Sequence, residues 1–175
     1  LQAQHETVNV LQDVLHVLAR KRREYMGAIL APSKEVAPWY VLVNDAEYRV
    51  GCQLPPDIES YLVFLLMRYT RKREMAGSVL SIELMEALNF RGAERKNALK
   101  EVGDTCLLYA GLFPKRARRL RVPDDYFANL GRGAYHVLSS LAEDGFQNVY
   151  ADLSGEFVFQ SRVLAATRTV EKSLQ

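Results

Sequence analysis

"IESYLVFLLMRYTRK", residues 58–72, is the stretch that decides the fold of this chain. Its seven consecutive apolar residues, 61–67, are compatible with a buried strand or with a helix. Helical spacing favours the helix, because it places one set of side chains on a single face: Ile58, Tyr61, Leu62, Leu65 and Tyr69. Arginine and lysine collect at the C-terminal end, where the helix dipole favours cations. With Pro55-Pro56-Asp57 as a helix start, the sequence predicts a core helix over 56–73.

Further helices are predicted on both sides of this segment by apolar residues at helical spacing. They cover 4–25, 79–89, 93–110, 114–121, 124–142 and 146–172. Gly111 is expected to cap a helix with positive φ, and Gly131 and Gly133 to let another backbone approach closely. Leu84, Met85 and Leu88 are expected to face inward. The sequence therefore predicts an all-α fold, an irregular bundle of five to seven helices around 56–73, in one domain spanning 1–175.

Residues 31–56 are the least regular part of the sequence and carry four prolines. An irregular loop is the first interpretation. A short hairpin, 39–43 against 47–51, is the alternative, because Trp39, Val41 and Val43 alternate with the period of a strand.

Composition limits the class of protein. The chain has 175 residues, 49% apolar and 25% charged, with a net charge of +2, which is typical of a globular domain without a strong overall field. Cys52 and Cys106 lie in apolar surroundings without a CxxC spacing, which predicts free thiols and a cytoplasmic location. The first ten residues lack the pattern of a signal peptide, and no apolar stretch is long enough to span a membrane.

Seventeen of the 23 basic residues fall into four local clusters, of which 115–121 holds the most, five. A short helix here would place Phe113, Ala117 and Leu120 along an apolar edge. The cations would fan across the opposite side, and they are Lys115, Arg116, Arg118, Arg119 and Arg121. Such a face suits phosphates, an acidic protein surface or anionic lipid. Alternatively it is paired internally with Asp104, Asp124 and Asp125.

Catalytic and cofactor motifs are not recognisable in the sequence, so we predict neither a cofactor nor a metal site. The sharpest polar group is Glu101 with Asp104, three residues apart on an apolar helix, with His136 as a partly buried third member. Two carboxylates in an apolar setting can act as acid and base. An ion pair between Asp104 and an arginine of the 115–121 run is the favoured interpretation, because buried charges are usually paired. Cys106, in the middle of a helix among leucines, is not expected to be a nucleophile.

Three functional hypotheses remain open at this point. The leading one is a non-enzymatic, bacterial-type cytoplasmic interaction or regulatory protein that docks an acidic protein partner through 113–121. The second is binding of nucleic acid through the same run together with Arg20–Arg23, although the low net charge counts against it. The third is an enzyme or small-ligand binder around Glu101, Asp104, Tyr109 and His136. A homo-oligomer is compatible with all three.

Overall fold

The computed structural model describes residues 34–71, 80–143 and 145–171, and within these ranges the regular structure is entirely helical. The helices are α1 (Ala37–Val50), α2 (Pro56–Arg71), α3 (Leu80–Asn89), α4 (Gly92–Gly111), α5 (Pro114–Arg119), α6 (Tyr126–Leu141), α7 (Phe146–Gly155) and α8 (Phe157–Glu171). The all-α prediction is confirmed. The predicted helix over 4–25 lies outside the described residues, and the single domain over 1–175 stays a prediction. None of the described helices is long and apolar enough to cross a membrane.

Helix α4, and not α2, occupies the centre of the bundle. It packs against α3, α5, α6 and α8, whereas α2 makes its main helix–helix contact with α7. Two glycines of α4 allow this close packing. A Cβ at Gly103 would lie 2.6 Å from the Tyr135 ring, and a Cβ at Gly111 would lie 2.7 Å from Cβ of Leu164. Gly111 is therefore needed for the contact with α8 and not for the positive φ that the sequence predicted, since its φ is not positive.

Helix α2 still contributes a large buried face, as its apolar sequence predicts. Ile58, Leu62 and Val63 are at most 1% exposed. Phe64 is 55% exposed, so the helix is not buried all round. A continuous apolar run marks a helix as a core element without saying which neighbour covers each side.

Residues 37–50 form α1, so the loop or hairpin predicted within 31–56 is wrong for that stretch. Its buried residues are Val43, Ala46 and Glu47, at the i, i+3, i+4 spacing of a helix face. The alternation of Trp39, Val41 and Val43 is fortuitous, because Val41 is 46% exposed. A five-residue apolar run satisfies both periods, and length alone separates them.

The predicted helix over 146–172 is two helices that meet at Glu156. That residue leaves helical geometry, with φ of −102° and ψ of 22°. Leu153 and Phe157 are both fully buried on either side of the break. Because these two residues are four positions apart, the apolar pattern continues at helical spacing across the break. The break therefore cannot be recognised from the sequence.

The inward face predicted for α3 is wrong at Met85 and Leu88, whereas Leu84 is half-buried. Met85 and Leu88 are 67% and 41% exposed, whereas Ala87 is fully buried. Helix α3 packs against α4 and α6.

Glu47 is a buried carboxyl group, 8% exposed, that closes the turn between α1 and α2. Its Oε1 accepts a hydrogen bond from the backbone N–H of Leu54 at 2.5 Å. Burial raises the pKa of Glu47 to about 7, and the nearby charge of Glu59 adds to the rise, while the bond from Leu54 opposes it. The group thus releases its proton near neutral pH in the folded chain.

Glu47→Gln is expected to stabilise the protein more at pH 8 than at pH 5. The pKa is 4.5 when unfolded and about 7 when folded, so the unfolded chain binds fewer protons between these values and stability falls as pH rises through them. Glutamine keeps an acceptor for Leu54 without the charge. We expect the stabilisation at pH 8 to exceed that at pH 5 by about 2 kcal/mol, measured by urea unfolding. The exposed Glu86→Gln is the control, and an equal effect of Glu47→Gln at both pH values would contradict the prediction.

Candidate functional site

Asp104 lies in the interior on α4, 2% exposed, and both of its carboxylate oxygens are engaged. Oδ1 accepts hydrogen bonds from the hydroxyls of Tyr61 at 2.5 Å and Tyr135 at 2.7 Å. Oδ2 accepts hydrogen bonds from Nη2 of Arg68 and, at 2.6 Å, from Nζ of Lys100. The Asp104 network therefore joins α2, α4 and α6 through one carboxylate.

Aromatic rings surround this carboxylate. The Tyr61 and Tyr135 rings meet edge to face with centroids 6.2 Å apart, and Tyr150 of α7 stacks near Tyr135 at the same distance. Nζ of Lys100 lies 5.0 Å from the centroid of the Tyr61 ring. The Asp104 carboxylate is therefore buried among aromatic rings, whereas the side chains of its two cations, Arg68 and Lys100, are 37% and 29% exposed.

The titration of the tyrosines follows from this setting. Burial and then the Asp104 charge hold the pKa of Tyr61 and that of Tyr135 well above the usual value for a phenol. Partial burial acts to lower the pKa of Arg68, but the Asp104 and Glu101 carboxylates outweigh it and leave that pKa raised. Both hydroxyls are therefore protonated donors, and the guanidinium is a permanent cation.

The sequence correctly predicted an ion pair at Asp104 but assigned it the wrong partner. The cations are Arg68 and Lys100, both 29–37% exposed at the side chain, and not an arginine of 115–121. One signal was available: Lys100 precedes Asp104 by four residues on the same helix, which brings the two side chains together. Arg68 and the tyrosines come from other helices, so no spacing in the sequence connects them to Asp104.

The other members of the predicted polar site are not buried with Asp104. Glu101 is exposed, although it lies near enough to Arg68 to raise its pKa. His136 is exposed on α6, which corrects the expectation of a partly buried histidine. Tyr109 is buried further along α4, where its ring stacks on Phe127 at 4.8 Å. Glu101 therefore lies at the rim of the Asp104 network. His136 faces solvent, and Tyr109, elsewhere on α4, packs against Phe127.

This arrangement offers little for acid–base or nucleophilic chemistry at these residues. The Asp104 carboxylate already accepts four hydrogen bonds, which fills its acceptor positions. Cys52 and Cys106 are both free thiols, as predicted. Burial raises the pKa of Cys106 to about 12, with a smaller contribution from the Glu83 charge. Within the described part of the chain, no three His, Cys, Asp or Glu side chains are grouped as metal ligands.

The basic run at 115–121 has a different character, because its cations face solvent. Helix α5 spans Pro114–Arg119, and the exposed residues are Lys115, Arg118, Arg119, Leu120 and Arg121. We call these five residues the α5 basic surface. None of its four cations forms an ion pair with any residue that the structure describes. The side chain of Arg116 lies outside the described part of the chain.

The carboxylates proposed as internal partners for this run are engaged elsewhere or exposed. Asp104 is bound by Arg68 and Lys100. Asp125 accepts a hydrogen bond from Nδ2 of Asn129 at 2.9 Å, and Asp124 is exposed. The interpretation in which these acids compensate the basic run therefore gains no support from the described contacts.

The α5 basic surface is held to the bundle at its N-terminal side. The Phe113 ring lies 5.3 Å from the Tyr69 ring and 6.5 Å from the Tyr109 ring. After α5, Arg121 takes a left-handed conformation with φ of 54°, which a non-glycine residue rarely adopts. Leu120 is 50% exposed, so it belongs to the outer surface and not to the apolar edge predicted with Phe113 and Ala117.

Comparisons of the chain with protein-family models, with curated proteins and with solved structures gave no significant match.

Proposed function

We propose that this protein is a non-enzymatic interaction protein that docks an acidic protein partner through the α5 basic surface. One observation carries the proposal: four exposed cations within seven residues have no carboxylate partner among the described residues. Like charges crowded on a short helix repel one another, and an acidic partner relieves this repulsion. Without a partner, these cations do not stabilise the fold, which favours a role in binding.

The anchoring of α5 supports a binding role. The contacts of the Phe113 ring with the Tyr69 and Tyr109 rings fix one end of the helix, so the arginines are presented from a positioned element. A partner that meets a positioned surface loses less conformational entropy on binding than one that must order it. Arginine also offers paired donors that match the two oxygens of a carboxylate.

A protein partner is favoured over nucleic acid by Leu120. This leucine is 50% exposed in the middle of the basic residues, between Arg119 and Arg121. An apolar side chain among cations fits a protein segment that carries both acidic and apolar residues, whereas a phosphate backbone offers it no partner. The net charge of +2 is also low for a nucleic-acid-binding domain.

Charge reversal on α5 tests the proposal. Arg118→Glu with Arg119→Glu is expected to abolish retention of a partner that the wild-type protein retains in affinity purification from its own cells, and to weaken its measured affinity by at least about tenfold. Arg49→Glu with Arg132→Glu is the matched control, because both arginines are exposed and the change in charge is the same. Circular dichroism checks that both variants are folded.

The outcome separates the alternatives. A retained protein with an acidic segment, lost only in the α5 variant, supports the proposal. Nucleic acid retained in place of protein, with an affinity that falls steeply with salt, supports the second hypothesis. Retention that is the same for both variants contradicts the assignment of the α5 basic surface.

A further inference from the structure

A cleft opens between α4, α6 and α7, beside the Asp104 network and formed by other helices than α5. Its volume is about 310 Å³, and Lys96, Asn97 and Lys100 of α4 line one side. Leu138 and Ala142 form the floor, and Glu143, Phe146 and Tyr150 line the other side. This volume is at the lower end of the range for small-molecule sites, so it suits a ligand of mononucleotide size and not a dinucleotide.

One side of the cleft is cationic. Lys96 and Lys100 are one turn apart on α4, so their ammonium groups extend along the same face. Nζ of Lys100 donates one hydrogen bond to Asp104 at 2.6 Å. An ammonium group has three N–H donors. Among the residues that the structure describes, Lys96 pairs with Glu143 at 3.3 Å, with side chains 37% and 78% exposed. An exposed pair of this kind is weak, so an incoming phosphate readily displaces Glu143.

The opposite side of the cleft is aromatic. Phe146 is 55% exposed, so its ring is accessible to a ligand in the cleft. Its ring lies 6.3 Å from that of Tyr150, in a tilted arrangement with the planes 30° apart. Tyr150 is only 9% exposed and its ring stacks with that of Tyr135, so Phe146 is the ring that a ligand can reach.

We infer that this cleft binds a small molecule with a planar ring and a phosphate, the chemistry of a nucleoside monophosphate. The ring stacks on Phe146 beside Tyr150, and Lys96 and Lys100 hold the phosphate. The site is independent of the docking role of the α5 basic surface, since the two share no residue. It assigns a function to Phe146 and Lys96, which the packing of the bundle does not require.

Isothermal titration calorimetry with adenosine monophosphate tests the inference, with adenosine and ribose 5-phosphate as partial ligands. We expect saturable binding of the full ligand and binding at least about tenfold weaker for either part, because each part lacks one of the two anchors. Phe146→Ala and Lys96→Gln are each expected to weaken binding about five- to tenfold. Both side chains are exposed, so the variants are expected to fold.

Two further variants make the test specific. Glu143→Gln is expected to strengthen binding, because it removes the carboxylate that competes for Lys96 and repels the phosphate. Lys115→Gln, on the α5 basic surface, removes the same charge as Lys96→Gln and is expected to bind like the wild type. The inference is overturned if adenosine monophosphate gives no saturable heat at 5 mM, if ribose 5-phosphate binds as tightly, or if Lys115→Gln loses as much affinity as Lys96→Gln.

Discussion

Asp104→Asn is expected to lower the free energy of unfolding by about 2–4 kcal/mol, because it removes a buried carboxylate that accepts four hydrogen bonds. Arg68 and Lys100 lose their shared carboxylate, and an amide NH₂ faces donors where an acceptor is needed. For a chain of this size the loss corresponds to a fall of about 4–16 °C in Tm. Guanidinium unfolding followed by circular dichroism measures the loss.

The control for this experiment is Glu143→Gln, which removes the exposed ion pair with Lys96. It is expected to change the free energy of unfolding by less than about 1 kcal/mol. If Asp104→Asn also changes it by less than 1 kcal/mol, the Asp104 network does not hold α2, α4 and α6 together. A larger loss in an isolated Tyr135→Phe variant than in Asp104→Asn would contradict the central place of the carboxylate in the network.

Gly131→Ala and Gly133→Ala are expected to have opposite effects on stability, although they lie two residues apart on α6. A Cβ at Gly131 would lie 2.6 Å from Cζ of Phe157 and 2.9 Å from Cβ of Cys106, whereas a Cβ at Gly133 meets nothing within 4 Å. Overpacking of the first kind costs about 1–3 kcal/mol. At the open position, alanine stabilises a helix by about 0.5–1 kcal/mol.

The pair is its own control, since both changes add the same methyl group to the same helix. Urea unfolding of the two variants and the wild type measures the difference, which is expected to reach about 2–3 kcal/mol. Equal effects, or a stabilising Gly131→Ala, would mean that α6 and α8 do not pack through Gly131 and Phe157.

Much of the helical architecture could be predicted from periodicity alone. The helices α2, α4, α5 and α6 lie within a few residues of their predicted bounds, because each has an apolar stripe and a proline or glycine at an end. What failed was the choice among equivalent patterns. The run at 39–43 fits two periods, and the four-residue step from Leu153 to Phe157 passes over a break. The spacing of apolar residues shows neither which period applies at 39–43 nor where the helix breaks between Leu153 and Phe157.

The candidate sites show the same division. The cations of 115–121 could be named from the sequence because they are contiguous, and the turn of α5 is short enough to present them together. The partners of Asp104 could not, apart from Lys100, because Tyr61, Arg68 and Tyr135 come from helices 31–43 residues away along the chain. The cleft was missed for the same reason: Lys96 and Phe146 are brought together only by the packing of α4 against α6 and of α6 against α7.

Photo-crosslinking from α5 tests the central claim most directly. A benzophenone amino acid in place of Leu120, which is 50% exposed, reports what touches the α5 basic surface in the cell, and one in place of the exposed Arg132 reports on a different surface. We predict an adduct with one acidic protein from position 120, absent from position 132 and lost when Arg118 and Arg119 are both changed to glutamate. The same adducts from both positions, or an adduct that survives the charge reversal, would contradict the claim.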